Sequence, residues 1–267
     1  RRCLIFLKRY LKIIILSIVG VFLIYGINRF VTKPFEEPGG QEAVAKDSTS
    51  KTDEGQTQNS ENDDLPDSSV DDWSLTLVGP DDALEKDISA DKIADIPNTN
   101  MQLDKRVIEP YQEFSEAAQK AGYPLVIISA YRSIDYQKQV FDRRVAQFES
   151  QGMDEKEAED KTKETSTEPK HSEHHTGLAL DIVDENWQQS YSDEVLSADF
   201  GKEDSAKWLA DHASDYGFIL RYPKGKEEIT KISYEPWHFR YVGKKNAKYI
   251  EEHELTLEEY LDQLNEK

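Results

Sequence analysis

The sequence is poor in cysteine and in positive charge. Cys3 is the only cysteine among 267 residues, so the chain cannot form an internal disulfide and offers no thiolate beyond its N-terminal end. Any metal site further along the chain must therefore use histidine, aspartate or glutamate. The 33 lysines and arginines are outnumbered by 53 acidic residues, which gives a formal net charge of -20. This balance argues against nucleic acid as a partner, because phosphate binding requires a basic surface.

Long apolar runs are also scarce, and the one present lies near the N-terminus. Residues 13–27 are apolar apart from Ser17, and their neighbours extend the run toward the ~20 residues that a spanning helix requires. Five basic residues precede the run and two follow it closely, a bias that favours a cytoplasmic N-terminus. We predict a cytoplasmic basic segment at 1–12 and a transmembrane signal anchor at 13–30. A cleaved signal peptide is the alternative, although residues 25–32 contain no small-x-small cleavage pattern.

The residues after the anchor are expected on the extracellular side of the cell membrane, in a single-pass topology. In residues 46–72 the only large apolar side chains are Leu65 and Val70. Two such side chains cannot offset the entropy that this segment would lose on folding. We predict a flexible acidic and polar linker at 31–72 and one domain at 73–267.

The predicted domain mixes helical and strand patterns in an irregular order. Apolar residues at three- and four-residue spacing predict helices, and short apolar or alternating runs predict strands. The helices are expected at 107–121, 136–148, 205–216 and after Thr256, and the strands at 73–78, 124–129, 179–183, 218–222 and 237–242. This order favours an α+β fold over a repeated βαβ arrangement.

Histidine is scarce enough for its clustering to be informative. Three of the six histidines, His171, His174 and His175, lie within five residues of one another. Asp181 follows in an otherwise apolar strand pattern, where burial of an unpaired carboxylate would be costly and a bound cation would remove the cost. Adjacent residues on an extended chain point to opposite sides, so His174 and His175 are not expected to bind one metal ion together.

A second carboxylate and histidine stand close together further along the chain. Glu235 lies three residues before His238, at the start of an aromatic-rich strand pattern. Two histidines and a carboxylate fill three positions of a tetrahedral zinc site and leave the fourth for water, as hydrolytic sites require. Glu235 would then lie near the metal without being needed as a ligand, which suits a general base.

Three segments of the sequence together resemble the signature of the VanY-type D-alanyl-D-alanine carboxypeptidases, a family of zinc peptidases that also contains L,D-carboxypeptidases. They are Tyr131-Arg132-Ser133 followed by Gln137, Ser172-x-His174-x-x-Gly177-x-Ala179-x-Asp181, and Glu235-x-Trp237-His238. The segments occur in the order typical of the family, and the resemblance covers about residues 73–249. One motif would be a moderate signal, whereas three in order are specific.

The resemblance implies a fold and a metal site. The fold would be the small α+β Hedgehog/D,D-peptidase type, in which a central antiparallel sheet carries one zinc ion. His174, Asp181 and His238 would be the zinc ligands. Glu235 would be the catalytic base.

The resemblance also implies residues that contact the substrate. Arg132 would be the positive catalytic group, either pairing with a terminal carboxylate or stabilising the oxyanion of the tetrahedral intermediate; a structural ion pair is the alternative. Ser172 and Gln137 would help to bind the peptide end. Trp237 is expected to form a wall of the substrate pocket, with a place in the core as the alternative.

The function implied by the resemblance is removal of the C-terminal D-alanine from peptidoglycan stem peptides, by D,D- or L,D-cleavage, in a bacterial, Gram-positive cell wall. An endopeptidase of the same family and an inactive peptidoglycan-binding module are the alternatives. Loss of catalysis usually removes the base or a ligand, and here Glu235 and all three ligand candidates are present. The protein is expected to be a monomer, since nothing in the sequence suggests a coiled coil.

Overall fold

The structure, a computed structural model, describes residues 64–163, 166–191 and 195–267. These residues all belong to one compact unit that extends over Asn59–Lys267. The helices in the described residues are α1 (Lys105–Lys120), α2 (Ile134–Ser150), α3 (Glu155–Lys163), α4 (Glu185–Ser190), α5 (Asp204–His212), α6 (Glu227–Thr230), α7 (Lys244–Glu252) and α8 (Leu257–Asn265). The strands there are β1 (Ile93–Asp95), β2 (Gln102–Asp104), β3 (Leu125–Ser129), β4 (Ala179–Asp184), β5 (Phe218–Leu220) and β6 (His238–Tyr241).

The larger sheet has the strand order β3–β4–β6–β5, and every pair of neighbours is antiparallel. β1 and β2 form a separate antiparallel pair. Helices and strands are mixed without a repeated βαβ unit, which confirms the predicted α+β class with a central antiparallel sheet. The inner strands β4 and β6 place Asp181 directly opposite His238.

The two faces of the larger sheet differ in chemistry, because side chains alternate along each strand. One face carries Leu180 and Phe239, which belong to the main apolar core. The other face carries Asp181, His238 and, two residues further along β6, Arg240. We call this second face the polar face. An antiparallel sheet with one such face can hold charged groups without interrupting the core on its other side.

α1 packs into the main core through one stripe of residues. Its buried side chains recur every three or four positions and are Val107, Tyr111, Phe114 and Ala118. Phe114 is fully buried, and its ring contacts the rings of Trp208, Tyr216, Phe218 and Phe239. Because Phe218 and Phe239 are sheet residues, this aromatic cluster attaches α1 to β5 and β6.

A second apolar cluster joins the two ends of the described chain. Its buried members include Leu65, Leu75, Ile219, Val242, Leu257, Tyr260 and Leu261. The Ser68 hydroxyl also donates a hydrogen bond to Oδ1 of Asn246 on α7, at 2.7 Å. Residues that precede Trp73 therefore pack against the C-terminal helices. The sequence predicted a domain that begins at Trp73.

The segment at Trp73 is not the strand that its alternating pattern predicted. Trp73–Leu75 forms a short 3-10 helix. The carbonyl oxygens of Ser74 and Thr76 accept hydrogen bonds from Nη2 of Arg240, at 3.0 and 2.7 Å. A buried arginine thus satisfies backbone groups that a neighbouring strand would otherwise pair with.

The predicted localisation, a single-pass membrane protein with an extracellular catalytic domain, is wrong. Among residues 64–163, 166–191 and 195–267, no helix is both long enough and apolar enough to cross a bilayer. The predicted anchor at 13–30 and the basic segment at 1–12 lie outside the described residues, as does most of the predicted linker at 31–72.

Replacement of Phe114 by alanine should lower the free energy of unfolding by about 3–5 kcal/mol, because it leaves a cavity at the centre of the aromatic cluster. Phe148→Ala is the matched control, since the Phe148 side chain on α2 is only partly buried and its loss should cost clearly less. Urea denaturation of both variants measures the difference. Equal losses would contradict the described core.

Candidate metal centre and active site

Three predicted metal ligands lie together at the polar face of the sheet. His174, Asp181 and His238 are buried, and each offers a ligand atom such that all three atoms lie within 4.8 Å of one another. Nε2 of His174 is 3.2 Å from Oδ2 of Asp181, and Nδ1 of His238 is 2.9 Å from Oδ1 of Asp181. Two imidazoles and a carboxylate at this spacing could hold one zinc ion and leave a coordination position open.

The backbone explains why these residues meet. Asp181 and His238 pair directly across β4 and β6, which puts their side chains on the same face, with Cβ atoms ~5 Å apart. His174 comes from the 3-10 helix Glu173–Thr176, which ends at Gly177 with a φ of +67°. A Cβ on Gly177 would lie 2.8 Å from Cδ1 of Ile93. Glycine therefore makes the tight connection from His174 into β4 possible.

A hydrogen bond from the second ring nitrogen orients each histidine of the cluster. Nδ1 of His174 lies 2.8 Å from the carbonyl oxygen of Ala130, and Nε2 of His238 lies 3.1 Å from Oε2 of Glu173. Both partners are acceptors, so these two nitrogens carry the protons. In the neutral rings, Nε2 of His174 and Nδ1 of His238 then present their lone pairs to the cluster, as zinc ligation requires.

Burial and hydrogen bonding shift the pKa values of the cluster. Burial lowers the pKa of His174 to about 4. Burial alone would also lower the pKa of His238, but its hydrogen bonds to Asp181 and Glu173 outweigh this effect and raise the pKa to about 9. Burial would raise the pKa of Asp181, yet the neighbouring histidines hold that pKa well below its usual range. Asp181 is therefore ionised, and a bound cation would replace the proton that it shares with Nδ1 of His238.

Glu235 lies beside the cluster, with Oε2 3.7 Å from Nδ1 of His238. Its backbone N–H donates to the carbonyl of Tyr222 and its own carbonyl accepts from the His238 N–H, both at 3.1 Å. These bonds fix Glu235 three residues before β6 begins. Burial raises the pKa of Glu235 to about 7. A carboxyl group with a pKa near neutrality can both take up and return a proton, as general acid–base catalysis requires.

Arg132 presents an unused hydrogen-bond donor at the site. Nη1 of Arg132 donates to Oε1 of Gln137 at 2.9 Å, and Nε2 of Gln137 donates to the Thr167 carbonyl at 2.7 Å. Within residues 64–163, 166–191 and 195–267, Nε of Arg132 is the one buried side-chain polar atom without a hydrogen-bond partner. A buried donor without a partner is costly, and a water molecule or a bound ligand can supply the acceptor.

His175 is hydrogen-bonded to the backbone of Arg132 and does not face the group formed by His174, Asp181 and His238, which we call the metal cluster. Its Nδ1 donates to the Arg132 carbonyl at 2.7 Å, and its Nε2 accepts from the Lys170 N–H at 3.2 Å. Both ring nitrogens are therefore occupied by backbone groups. His171 is also bound to the backbone, with Nδ1 2.8 Å from the Gly79 carbonyl oxygen.

One cavity of about 740 Å³ unites the site residues that the sequence singled out. All eight line it: Arg132, Gln137, Ser172, His174, Asp181, Glu235, Trp237 and His238. Ser172 is buried at the start of the 3-10 helix. Trp237 lines the cavity and also packs against the main core.

Sequence reasoning missed three charged residues next to the cluster. Glu173, Arg221 and Arg240 have fully buried side chains, and each arginine forms an ion pair with Glu173. A signal was available, because Arg221 and Arg240 interrupt the apolar runs FILRY and WHFRYV. A charge in such a run needs a partner for the same reason that Asp181 does.

The class of protein follows from comparison with solved structures, since the fold matches zinc peptidases. The LD-carboxypeptidase LdcB matches with a TM-score of 0.59 and 40% identity, over 70% of this chain and 84% of that chain. The vancomycin-resistance D,D-pentapeptidase VanY from the VanB-type cassette, solved with Zn(II), matches with a TM-score of 0.58 and 31% identity, over 71% of this chain and 99% of that chain.

Sequence comparison then identifies the family. The VanY family model, described as D-alanyl-D-alanine carboxypeptidase, matches residues 100–244. The Bacillus subtilis (strain 168) protein YodJ is 46% identical over 160 residues, which are 60% of this chain and 54% of that protein. The chain belongs to the VanY family, which confirms the resemblance in its motifs. It spans 47% to 66% of the length of four curated relatives.

Replacement of His174 by alanine should abolish zinc binding, because two protein ligands rarely retain zinc where three are needed. His171→Ala is the matched control, since this histidine lies three residues away and is bonded to Gly79. The zinc content per chain after dialysis, measured by plasma mass spectrometry, should be one for the wild type and the control. Zinc retained by His174→Ala would contradict the cluster as the metal site.

Proposed function

We propose that this protein is a zinc-dependent carboxypeptidase that removes the C-terminal D-alanine from peptidoglycan stem peptides. The observation that carries the proposal is that one cavity contains a His–Asp–His cluster, a carboxyl group beside it and a guanidinium with a free donor. These three parts supply a metal site, a base and an anion contact, which are the needs of a carboxypeptidase. LdcB and VanY, which cleave as LD-carboxypeptidase and D,D-pentapeptidase, support the substrate class.

The metal would be held by Nε2 of His174, Nδ1 of His238 and the carboxylate of Asp181. The donor set fits zinc in type and number, and the hydrogen bonds to Ala130 and Glu173 already orient both rings. A zinc ion bound there supplies Lewis acidity, which polarises a peptide carbonyl and makes a water molecule more acidic.

Glu235 would act as the catalytic base and then as the acid. In peptide hydrolysis a water oxygen adds to the carbonyl carbon, the C–N bond breaks, and the departing amine takes up a proton. Glu235 accepts the proton that the water loses and passes it to the amine of the released D-alanine. Its position beside His238 and its pKa of about 7 suit both transfers.

Arg132 would bind the carboxylate at the C-terminus of the substrate through its guanidinium group, since Arg132 lines the cavity. An arginine that requires this carboxylate selects the last residue of a peptide, which favours an exopeptidase over the endopeptidase alternative. Gln137 would orient the guanidinium through its bond to Nη1. Ser172 and Trp237 would form the walls around the peptide end.

The cleavage itself is tested with the full chain, zinc and purified stem peptides, with products weighed by mass spectrometry. Loss of one alanine from the pentapeptide indicates D,D-cleavage, and loss of one alanine from the tetrapeptide indicates L,D-cleavage. We expect at least one of these products. If neither peptide becomes shorter by one alanine, the carboxypeptidase proposal fails.

Glu235→Gln provides the catalytic control for this assay. The variant should keep its zinc but lose activity by roughly 10²- to 10⁴-fold, because an amide cannot accept the proton. Glu228→Gln, which changes an exposed carboxylate on α6, should behave as the wild type. A wild type as inactive as Glu235→Gln would instead favour the peptidoglycan-binding module.

Arg132→Met should reduce kcat/KM for a free-acid substrate by about 30-fold or more, equivalent to about 2 kcal/mol. The same peptide with a C-terminal amide lacks the carboxylate, so it should be a poor substrate for the wild type and should lose little more in the variant. Comparing both peptides with both proteins separates the two roles of Arg132. An equal loss for acid and amide would exclude carboxylate binding and favour oxyanion stabilisation.

The expectations of a monomer and of no nucleic-acid partner stay predictions. The strongly acidic composition supports the second, because it opposes binding to phosphate.

A further inference from the structure

A fully buried group of charges adjoins the metal cluster. The side chains of Glu173, Arg221 and Arg240 are 0% exposed. Oε1 of Glu173 accepts hydrogen bonds from Nε of Arg221 at 2.7 Å and from Nη1 of Arg240 at 2.6 Å. Two arginines therefore bind the same carboxylate oxygen, and the other oxygen, Oε2, is left free for a different partner.

That partner is the ring of His238. Nε2 of His238 lies 3.1 Å from Oε2 of Glu173. An ionised carboxylate can only accept hydrogen bonds, so the proton of this bond resides on the imidazole. Nδ1 of the same ring faces the carboxylate of Asp181 and shares a proton with it in the metal-free protein. When a metal ion replaces that proton, the bond to Glu173 keeps the remaining proton on Nε2 and leaves the lone pair of Nδ1 for the metal.

The arginines are themselves immobilised by distant parts of the chain. Nη1 and Nη2 of Arg221 donate to the two carboxylate oxygens of Glu258 on α8, at 2.9 and 2.7 Å. Nη2 of Arg240 donates to the carbonyls of Ser74 and Thr76, at 3.0 and 2.7 Å. Segments from both ends of the described chain therefore hold the carboxylate that contacts His238.

Stability alone is a weak explanation for this group. Buried ion pairs can often be replaced by apolar side chains without loss of stability, because desolvation offsets their attraction. If the ion pairs served stability alone, Oε2 of Glu173 would have no reason to point at the ring of His238. Histidines that bind metals, in contrast, generally need an acceptor at their second nitrogen.

We infer that Glu173, fixed by Arg221 and Arg240, is a positioning residue that sets the tautomer and the ring orientation of His238 for metal binding. This inference rests on the zinc site of the proposed function. In this role the buried charged residues raise zinc affinity through their effect on His238. Their side chains do not contact the metal or the substrate.

Glu173→Gln tests the inference, because an amide has one acceptor and one donor where the site needs two acceptors. The amide oxygen should face the two arginines, which are donors, and the NH₂ group should then face Nε2 of His238. That arrangement favours the proton on Nδ1 and removes the lone pair that the metal needs. Zinc affinity of the full chain, measured by competition with a chelator, should fall by roughly 10- to 100-fold.

Glu258→Gln is the matched control, since it changes a carboxylate on Arg221 and leaves the bond from Glu173 to His238 intact. Thermal unfolding of both variants without zinc measures how much each substitution lowers the stability of the fold. Zinc affinity should not follow this loss of stability. The control should bind zinc within about 3-fold of the wild type. Equal losses of affinity in both variants, or unchanged affinity in Glu173→Gln, would overturn the inference.

A measurement on the wild type decides the case in which Glu173→Gln does not fold. Nitrogen-15 spectra of histidine-labelled, zinc-bound protein should show the His238 ring protonated at Nε2 and coordinated through Nδ1. Coordination through Nε2 would overturn the inference while leaving the zinc enzyme intact. A wild type that binds no zinc would overturn the proposed function and the inference together.

Discussion

The direct pairing of Asp181 with His238 across two antiparallel strands is the constraint on which the site depends. A carboxylate in the middle of a buried strand is tolerated only with a partner of opposite charge or a metal. The register of β4 and β6 brings the imidazole of His238 next to Asp181. The turn that ends at Gly177 brings His174 to the same place. A shift of one residue in this register would turn Asp181 or His238 toward the apolar core, so the sheet and the metal site specify each other.

Division of the sheet into two faces explains how so many charges are accommodated. The apolar face packs with α1 around Phe114, which leaves the polar face free for the metal cluster. Arg240 lies on the polar face two residues from His238, and together with Arg221 it neutralises Glu173. Burial would raise the pKa of Glu173, but the two guanidinium groups hold this pKa well below its usual range. The buried carboxylate therefore remains an acceptor for His238.

The clustered histidines and the carboxylate of Asp181 in an apolar run indicated a metal site from local patterns, and the resemblance to the VanY family assigned His174, Asp181 and His238 as its ligands. Helix α1 was predictable from its spacing and the α+β class from the irregular order of helices and strands, whereas the central antiparallel sheet was implied by the family resemblance. The group around Glu173 was not predicted, although Arg221 and Arg240 stand out in apolar runs, because the sequence does not show which carboxylate each arginine binds. The predicted strand at Trp73 was wrong because Arg240, a side chain from β6, binds the backbone carbonyls with which a neighbouring strand would have paired.

Anomalous diffraction at the zinc edge, from crystals of the zinc-bound protein, tests the central claim most directly. The account predicts one peak within ~2.0–2.2 Å of Nε2 of His174, Nδ1 of His238 and the carboxylate of Asp181. Glu173 should still contact Nε2 of His238 in that structure. A peak at another position, or zinc bound through Nε2 of His238, would contradict the account.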